Sequence, residues 1–347
     1  MAEAAAPADA RRSRFWLYTP FVLLALVAIA WSVAWMVIRD RTSEGLDAWI
    51  AAEARNGRRW TCADRTVAGY PFRIEVTCAT VALRQSDATA SLGRVHAVAQ
   101  VYQPRHVISR IEGPLRLTRG AVAVEGGWRL LETSIRGSAG GLQRASLVAE
   151  APAFQVTGPG NAAMAVSSRR FEAHLRPSPT AREEGAWDAA ISASQARVPL
   201  LDALLGGAEP ADVQVDLTAT RVQGLRGRPM VEEIERWRQA DGRLGVMLLS
   251  VSKGPRRMEA KGELRLDEAH RPAGELTVSA AGLEELIGHL SGHRLGGNLL
   301  GSLLGEGPRA PSAAAPKLMP LPPLRLDGGR LAVGPFAVPN VRLPALY

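Results

Sequence analysis

The sequence predicts a mainly β protein: one N-terminal transmembrane helix, then a large curved antiparallel β-sheet domain with a few helices. Three observations carry that prediction. Residues 15–38, FWLYTPFVLLALVAIAWSVAWMVI, contain no charged side chain. Beyond them, short runs recur in which apolar residues occupy alternate positions, as in Phe171, Ala173 and Leu175 or Val213, Val215 and Leu217. Such alternation marks strands with one buried face. Turn clusters such as VEGGW, TGPGN and RPSPT separate many of these runs.

Taking the elements in order, residues 1–14 read as a cytoplasmic tail holding Arg11, Arg12 and Arg14. At about 1.5 Å per residue, the anchor at 15–38 reaches roughly 36 Å, enough for a hydrocarbon core of about 30 Å. Trp16 and Tyr18 near one end and Trp31 and Trp35 near the other match interfacial aromatics. Ala28-Ile29-Ala30 fits a signal-peptide cleavage pattern. The apolar run, however, continues past it through two tryptophans, which favours a retained anchor. Residues 40–57 read as an amphipathic stalk helix, with Leu46, Trp49 and Ile50 on one face and Gly57 as its stop.

A β-rich domain over 58–305 follows. Gly69 and Pro71 turn the chain into a strand where Phe72, Ile74, Val76 and Cys78 share one face. The apolar parity then switches to Val81 and Leu83, which predicts a bulge or a strand end near Ala79 and Thr80. Two helices interrupt the strands. PMVEEIERWRQADG places acids in its first turn and arginines in its last, with Val231, Ile234 and Trp237 as its buried stripe. A second, from Gly282 to Leu290, has Leu283, Leu286, Ile287 and Leu290 at helical spacing. Residues 306–323 are Pro- and Ala-rich and read as a linker. Residues 324–347 read as a hairpin returning to the β domain.

Cys62 and Cys78 are the only cysteines. They fit either two buried thiols or a disulfide from the lead-in segment to the first strand, and the disulfide agrees with an oxidising compartment. A metal site is disfavoured, because two thiols with no nearby His fall short of four ligands.

The net charge of +8 is carried almost wholly by arginine, with lysine only at 253, 261 and 317. These arginines are scattered through every segment, and no nucleic-acid-binding motif accompanies them, so nucleic acid is not an expected partner. Catalytic constellations are equally thin. Ser250-Val-Ser-Lys253 satisfies S-x-x-K, but it ends a strand-like run where Lys is expected to be a solvated terminus. His289 and His293 have the spacing of a metal pair but lack a third ligand. Glu183-Glu184 and Glu232-Glu233 are adjacent, a spacing that aims carboxylates apart. The reading is therefore of a protein without catalytic residues, cofactor or metal.

RRWTCADRTVAGYPFRIEVTC, GELRLDEAHRPAGELTVSAAGLEELI and LRLDGGRLAVGPFAVPNVRLP resemble an uncharacterised bacterial family, domain of unknown function 2125. The resemblance implies a single N-terminal anchor and a β-rich envelope domain, and carries no catalytic residues over. More distantly, the Gly-Tyr-Pro-Phe turn and the G-x-L-x-L-D hairpin look like those of AsmA-type proteins, whose curved sheets have an apolar concave face and are associated with phospholipid movement. The expected protein is single-pass in the inner membrane, with its N-terminus cytoplasmic and its main domain periplasmic. Its apolar sheet face is expected to hold a phospholipid or acyl chain. The alternative is a structural component with a closed core and an envelope protein as partner.

Overall fold

The computed structural model describes residues 15–160, 163–222, 230–282 and 318–347. It is mainly β, with large antiparallel sheets behind one N-terminal apolar helix. That helix, α1, runs unbroken over Phe15–Arg55. The expected anchor and stalk are thus one rod, because nothing between Ile38 and Asp40 breaks the helix. Pro20 sits near its start, where a missing N–H costs little. Gly57, at φ 78°, takes the left-handed turn after its end. By length and composition α1 is able to cross a membrane.

The strands then alternate between two sheets in a regular way. They run β1 (Arg59–Ala63), β2 (Thr66–Ala68), β3 (Arg73–Cys78), β4 (Thr80–Arg84), β5 (Ala88–Leu92), β6 (Val95–Gln100) and β7 (Gln103–Ile111). Next come β8 (Leu115–Arg119), β9 (Val122–Gly127), β10 (Leu130–Ser138), β11 (Gly141–Glu150), β12 (Ala153–Thr157), β13 (Met164–Ser167) and β14 (Arg170–Pro177). The smaller sheet takes β1, β4, β5, β8, β9, β12 and β13, while β2, β3, β6, β7, β10, β11 and β14 begin the larger one. Each passage, such as β3 to β4 or β11 to β12, needs only one to three residues. Up to β14 the chain is therefore a meander that passes repeatedly from one sheet to the other, and those passages line up as a crease. The parity switch at Ala79 and Thr80 is one of them.

Backbone hydrogen bonds continue through the crease, with Gly93 donating to Glu112, Arg129 to Glu150 and Ala151 to Arg169. Two glycines let the strands approach there. A Cβ on Gly93 would lie 2.4 Å from the Gly113 carbonyl oxygen, and one on Gly126 would lie 2.1 Å from that of Ala153.

The larger sheet then extends alone through β15 (Trp187–Ala196), β16 (Ala211–Ala219), β17 (Leu244–Lys253), β18 (Arg256–Leu266) and β19 (Pro272–Ala281). Helix α2 (Pro199–Leu205) follows β15, and Leu205 joins Ala211 and Val251 in a small closed core. Helix α3 (Met230–Gln239) has Glu232 and Glu233 in its first turn and Arg236 and Arg238 in its last. Its expected buried stripe is only partly realised. Val231 is exposed, and Trp237 is half-buried, donating its indole N–H to the Thr220 carbonyl.

The end of the chain also differs from expectation. Met319–Pro320, placed in the linker, forms the short strand β20 beside β19. The final segment is three strands rather than a hairpin: β21 (Leu324–Asp327), β22 (Arg330–Val333) and β23 (Phe336–Arg342), with β21 paired to β19. The second expected helix, the His289–His293 pair and most of the linker lie outside the described residues.

Candidate ligand-binding face

Register decides which side chains share a face. In the larger sheet one lateral row runs Ile74, Ala99, Val107, Ile135 and Ala145, and continues through Leu175, Ala189 and Leu217 to Val246. In the smaller sheet the matching row is Trp60, Leu83, Ala90, Leu117, Val124, Val156 and Met164. Both rows are wholly apolar, since successive side chains alternate faces and these residues occupy one parity.

The two apolar faces meet across the crease. Cys62, of the same parity as Trp60, is disulfide-bonded to Cys78, of the same parity as Ile74, with the Cα atoms 5.2 Å apart. The disulfide therefore ties one sheet to the other on their shared apolar side. Phe154, in the smaller sheet, packs on Trp128 in the crease with ring centroids 6.2 Å apart.

Burial along this face is graded. Near the crease Cys78, Leu131 and Ala149 are buried, at 7%, 9% and 4% exposure. Further along the same face of β10, Ile135 is 47% exposed, whereas the two ends of its lateral row, Ile74 and Val246, are buried. Among the described residues no strand of the smaller sheet has a fully buried side chain. Two packed sheets would cover such residues from both sides. Here the apolar surface is a two-walled face with its floor at the crease.

The opposite face is polar and laced with ion pairs. Arg110 meets Glu132 at 2.7 Å, Arg116 meets Glu125 at 2.8 Å and Arg257 meets Glu259 at 2.7 Å. Arg170 bonds Glu172, which with a further bond to His174 holds the Glu172 carboxyl below its ordinary range. Arg110–Glu132 and Arg116–Glu125 are cross-strand pairs that match the register, while Arg257–Glu259 and Arg170–Glu172 are neighbours two apart along one strand.

The structure separates the S-x-x-K residues. Ser250 and Lys253 lie three apart on β17 and therefore point to opposite faces. Lys253 is not a solvated terminus. It is 1% exposed, and its ammonium donates to Asp202 Oδ1 at 2.6 Å and to the Glu209 carbonyl. It fastens α2 against the sheet, a role that one more apolar-parity position on β17 could have signalled, since Val251 precedes it on that face. Glu183 and Glu184 lie in a short 3-10 turn, and Glu232 and Glu233 open α3. Neither pair faces the other across a cleft. A separate cleft of about 460 Å³, lined by Val222, Met230, Ile234 and Trp237, lies beside α3; the sequence did not mark it.

A family model described as an uncharacterized protein conserved in bacteria (DUF2125) matches residues 35–342. No curated protein and no solved structure matches the chain.

Proposed function

The chain belongs to the DUF2125 family of bacterial proteins, and from that premise we propose that it is a membrane-anchored, non-enzymatic lipid-binding module. The observation that carries this reading is the two-walled apolar face, stapled by Cys62–Cys78 and left exposed at Ile135, Leu117 and Met164. Its lining of Ala, Val and Leu offers a smooth, sequence-tolerant surface to an acyl chain, whose burial stabilises by about 0.8 kcal/mol per CH₂. A polar outer face keeps the other side in water. The compartment we assign is the periplasm, with α1 in the inner membrane; the disulfide supports it, since such bonds persist in oxidising compartments.

Native mass spectrometry of the full chain, extracted in mild detergent, tests the reading. A co-purifying phospholipid or fatty acid is expected, and its loss is expected in a Leu117→Asp, Val156→Asp variant with unchanged circular dichroism. A lipid-free wild-type mass contradicts it. A second reading, a scaffold for an envelope protein, draws on the arginine-rich outer face; a stoichiometric protein partner on a lipid-free chain would favour it.

A further inference from the structure

We infer a second membrane contact: the end of the larger sheet that carries turns 69–72 and 101–102 docks on the bilayer interface, its aromatics among the lipids and its arginines on anionic headgroups. This rests on the anchoring half of the proposed function, that α1 crosses the membrane, and not on lipid in the apolar face.

The contacts between helix and domain set the depth. Trp31 donates its indole N–H to the Pro71 carbonyl at 2.9 Å, and Trp35 donates to the Arg73 carbonyl at 3.0 Å. Ser32 shares a 2.9 Å hydrogen bond with the Tyr70 hydroxyl. Rings follow the same pairing, Trp31 with Phe72 at 5.9 Å and Trp35 with Tyr70 at 5.5 Å. All three helix residues belong to the uncharged run, before Arg39 supplies the first charge. Ser32 lies about 10 Å along the helix from Arg39. The uncharged run exceeds the hydrocarbon core by only a few ångströms, and each interfacial layer is roughly 5–7 Å thick. Turn 69–72 is thus held a few ångströms below the boundary between headgroups and acyl chains.

What this end exposes fits that position. Tyr70 is 56% exposed, Phe72 59% and Tyr102 68%, in a chain with only 5% aromatic residues. Val101 donates to the Phe72 carbonyl at 2.9 Å, so the two turns form one tip. Aromatic rings with one polar edge prefer this depth. Around them the strand ends carry Arg73, Arg105, Arg136 and Arg144, all exposed. Arg136 lies beside both His106 and Arg144 in register. Arg105, Arg136 and Arg144 have no carboxylate partner among the described residues, in contrast to the paired arginines higher on the same sheet. Unpaired basic side chains beside interfacial aromatics are the charge pattern that an anionic leaflet attracts.

The test uses the full chain, non-reduced, in vesicles of phosphatidylcholine with or without phosphatidylglycerol. Single cysteines at Tyr102→Cys, Gly120→Cys and Ala25→Cys carry an environment-sensitive fluorophore; quenching is read with lipids spin-labelled shallow on the acyl chain for Tyr102 and Gly120, and near the chain end for Ala25, which lies close to the middle of the span. Quenching is expected at Tyr102 and Ala25 but not at Gly120, on the β8–β9 turn. It should strengthen at Tyr102 with the anionic lipid. Charge reversal by Arg105→Glu, Arg136→Glu and Arg144→Glu should lower the docked-to-free ratio by about fivefold or more per residue. A quenched Ala25 with Tyr102 as bright as Gly120 overturns the docking inference. An unquenched Ala25 overturns the anchor and the docking inference together.

Discussion

At the residue scale, three contacts make separable predictions. The Cys62–Cys78 bridge spans 16 positions, and closing a loop of this size stabilises by roughly 3 kcal/mol. A Cys62→Ser, Cys78→Ser double variant should lose about that much in chemical unfolding, and reduction of the wild type should match it. Lys253 is the second. Removing it by Lys253→Ala leaves Asp202 without its ammonium, but Asp202 is 43% exposed and turns to water. The expected cost is therefore at the low end of a charged hydrogen bond, about 1.5 kcal/mol, plus the void. Lys253→Met fills the space and should cost less; equal stability of the two would contradict the packing role. The third is Glu235, which accepts from Arg238 at 2.7 Å and from the Tyr347 hydroxyl at 2.6 Å. Arg238 and then Tyr347 hold its carboxyl well below the usual range. A carboxylate whose pKa is depressed by folding contributes stability above its unfolded value and loses it as pH falls through the folded value. Hydrogen-exchange protection at Leu346, whose N–H binds the His270 carbonyl, should survive to about pH 4 and fail only well below. In Glu235→Gln that protection should be weaker and flat with pH.

At the element scale, the crease is the feature that organises the fold, and it was only half legible. Alternation located many of the strands, because period-two patterning records which residues share a face. It did not record which sheet a strand joins. The switch of parity near Ala79 and Thr80 therefore read as a bulge or a strand end; β3 does end at Cys78, but that β4 then enters the other sheet was not legible. Glycine packing was equally silent, because Gly126 and Gly127 look alike in sequence. In the structure they are opposites: a Cβ on Gly126 would meet the Ala153 carbonyl at 2.1 Å, while one on Gly127 has nothing within 4 Å. Gly126→Ala should destabilise by about 1–3 kcal/mol, and Gly127→Ala by no more than about 0.5 kcal/mol. Equal thermal unfolding of the two would mean the crease yields more easily than its hydrogen bonds imply. Helix α3 shows the limit of helical spacing as a guide. Its charges fell where the dipole predicts, yet Val231 is exposed and no residue of α3 is fully buried.

At the scale of the whole molecule, the N-terminal apolar helix was the most legible part, since twenty-four uncharged residues make it long and apolar enough to cross a membrane. Its contact with the Gly-Tyr-Pro-Phe turn was not legible, because nothing in either stretch names the other. Parts of the two apolar rows, such as Ile74, Ala99, Leu175, Ala189 and Leu217, were legible from alternation, but only register and the disulfide put them on one side of a single face. Site-specific photo-crosslinking in intact cells reads whether that shared face holds lipid. A photoreactive phenylalanine analogue at Leu117 or Val124 probes the apolar face, and one at Glu125 probes the other. Covalent lipid adducts at Leu117 and Val124, absent at Glu125, are the predicted result. Adducts at none of the three, or equally at all, would contradict the account.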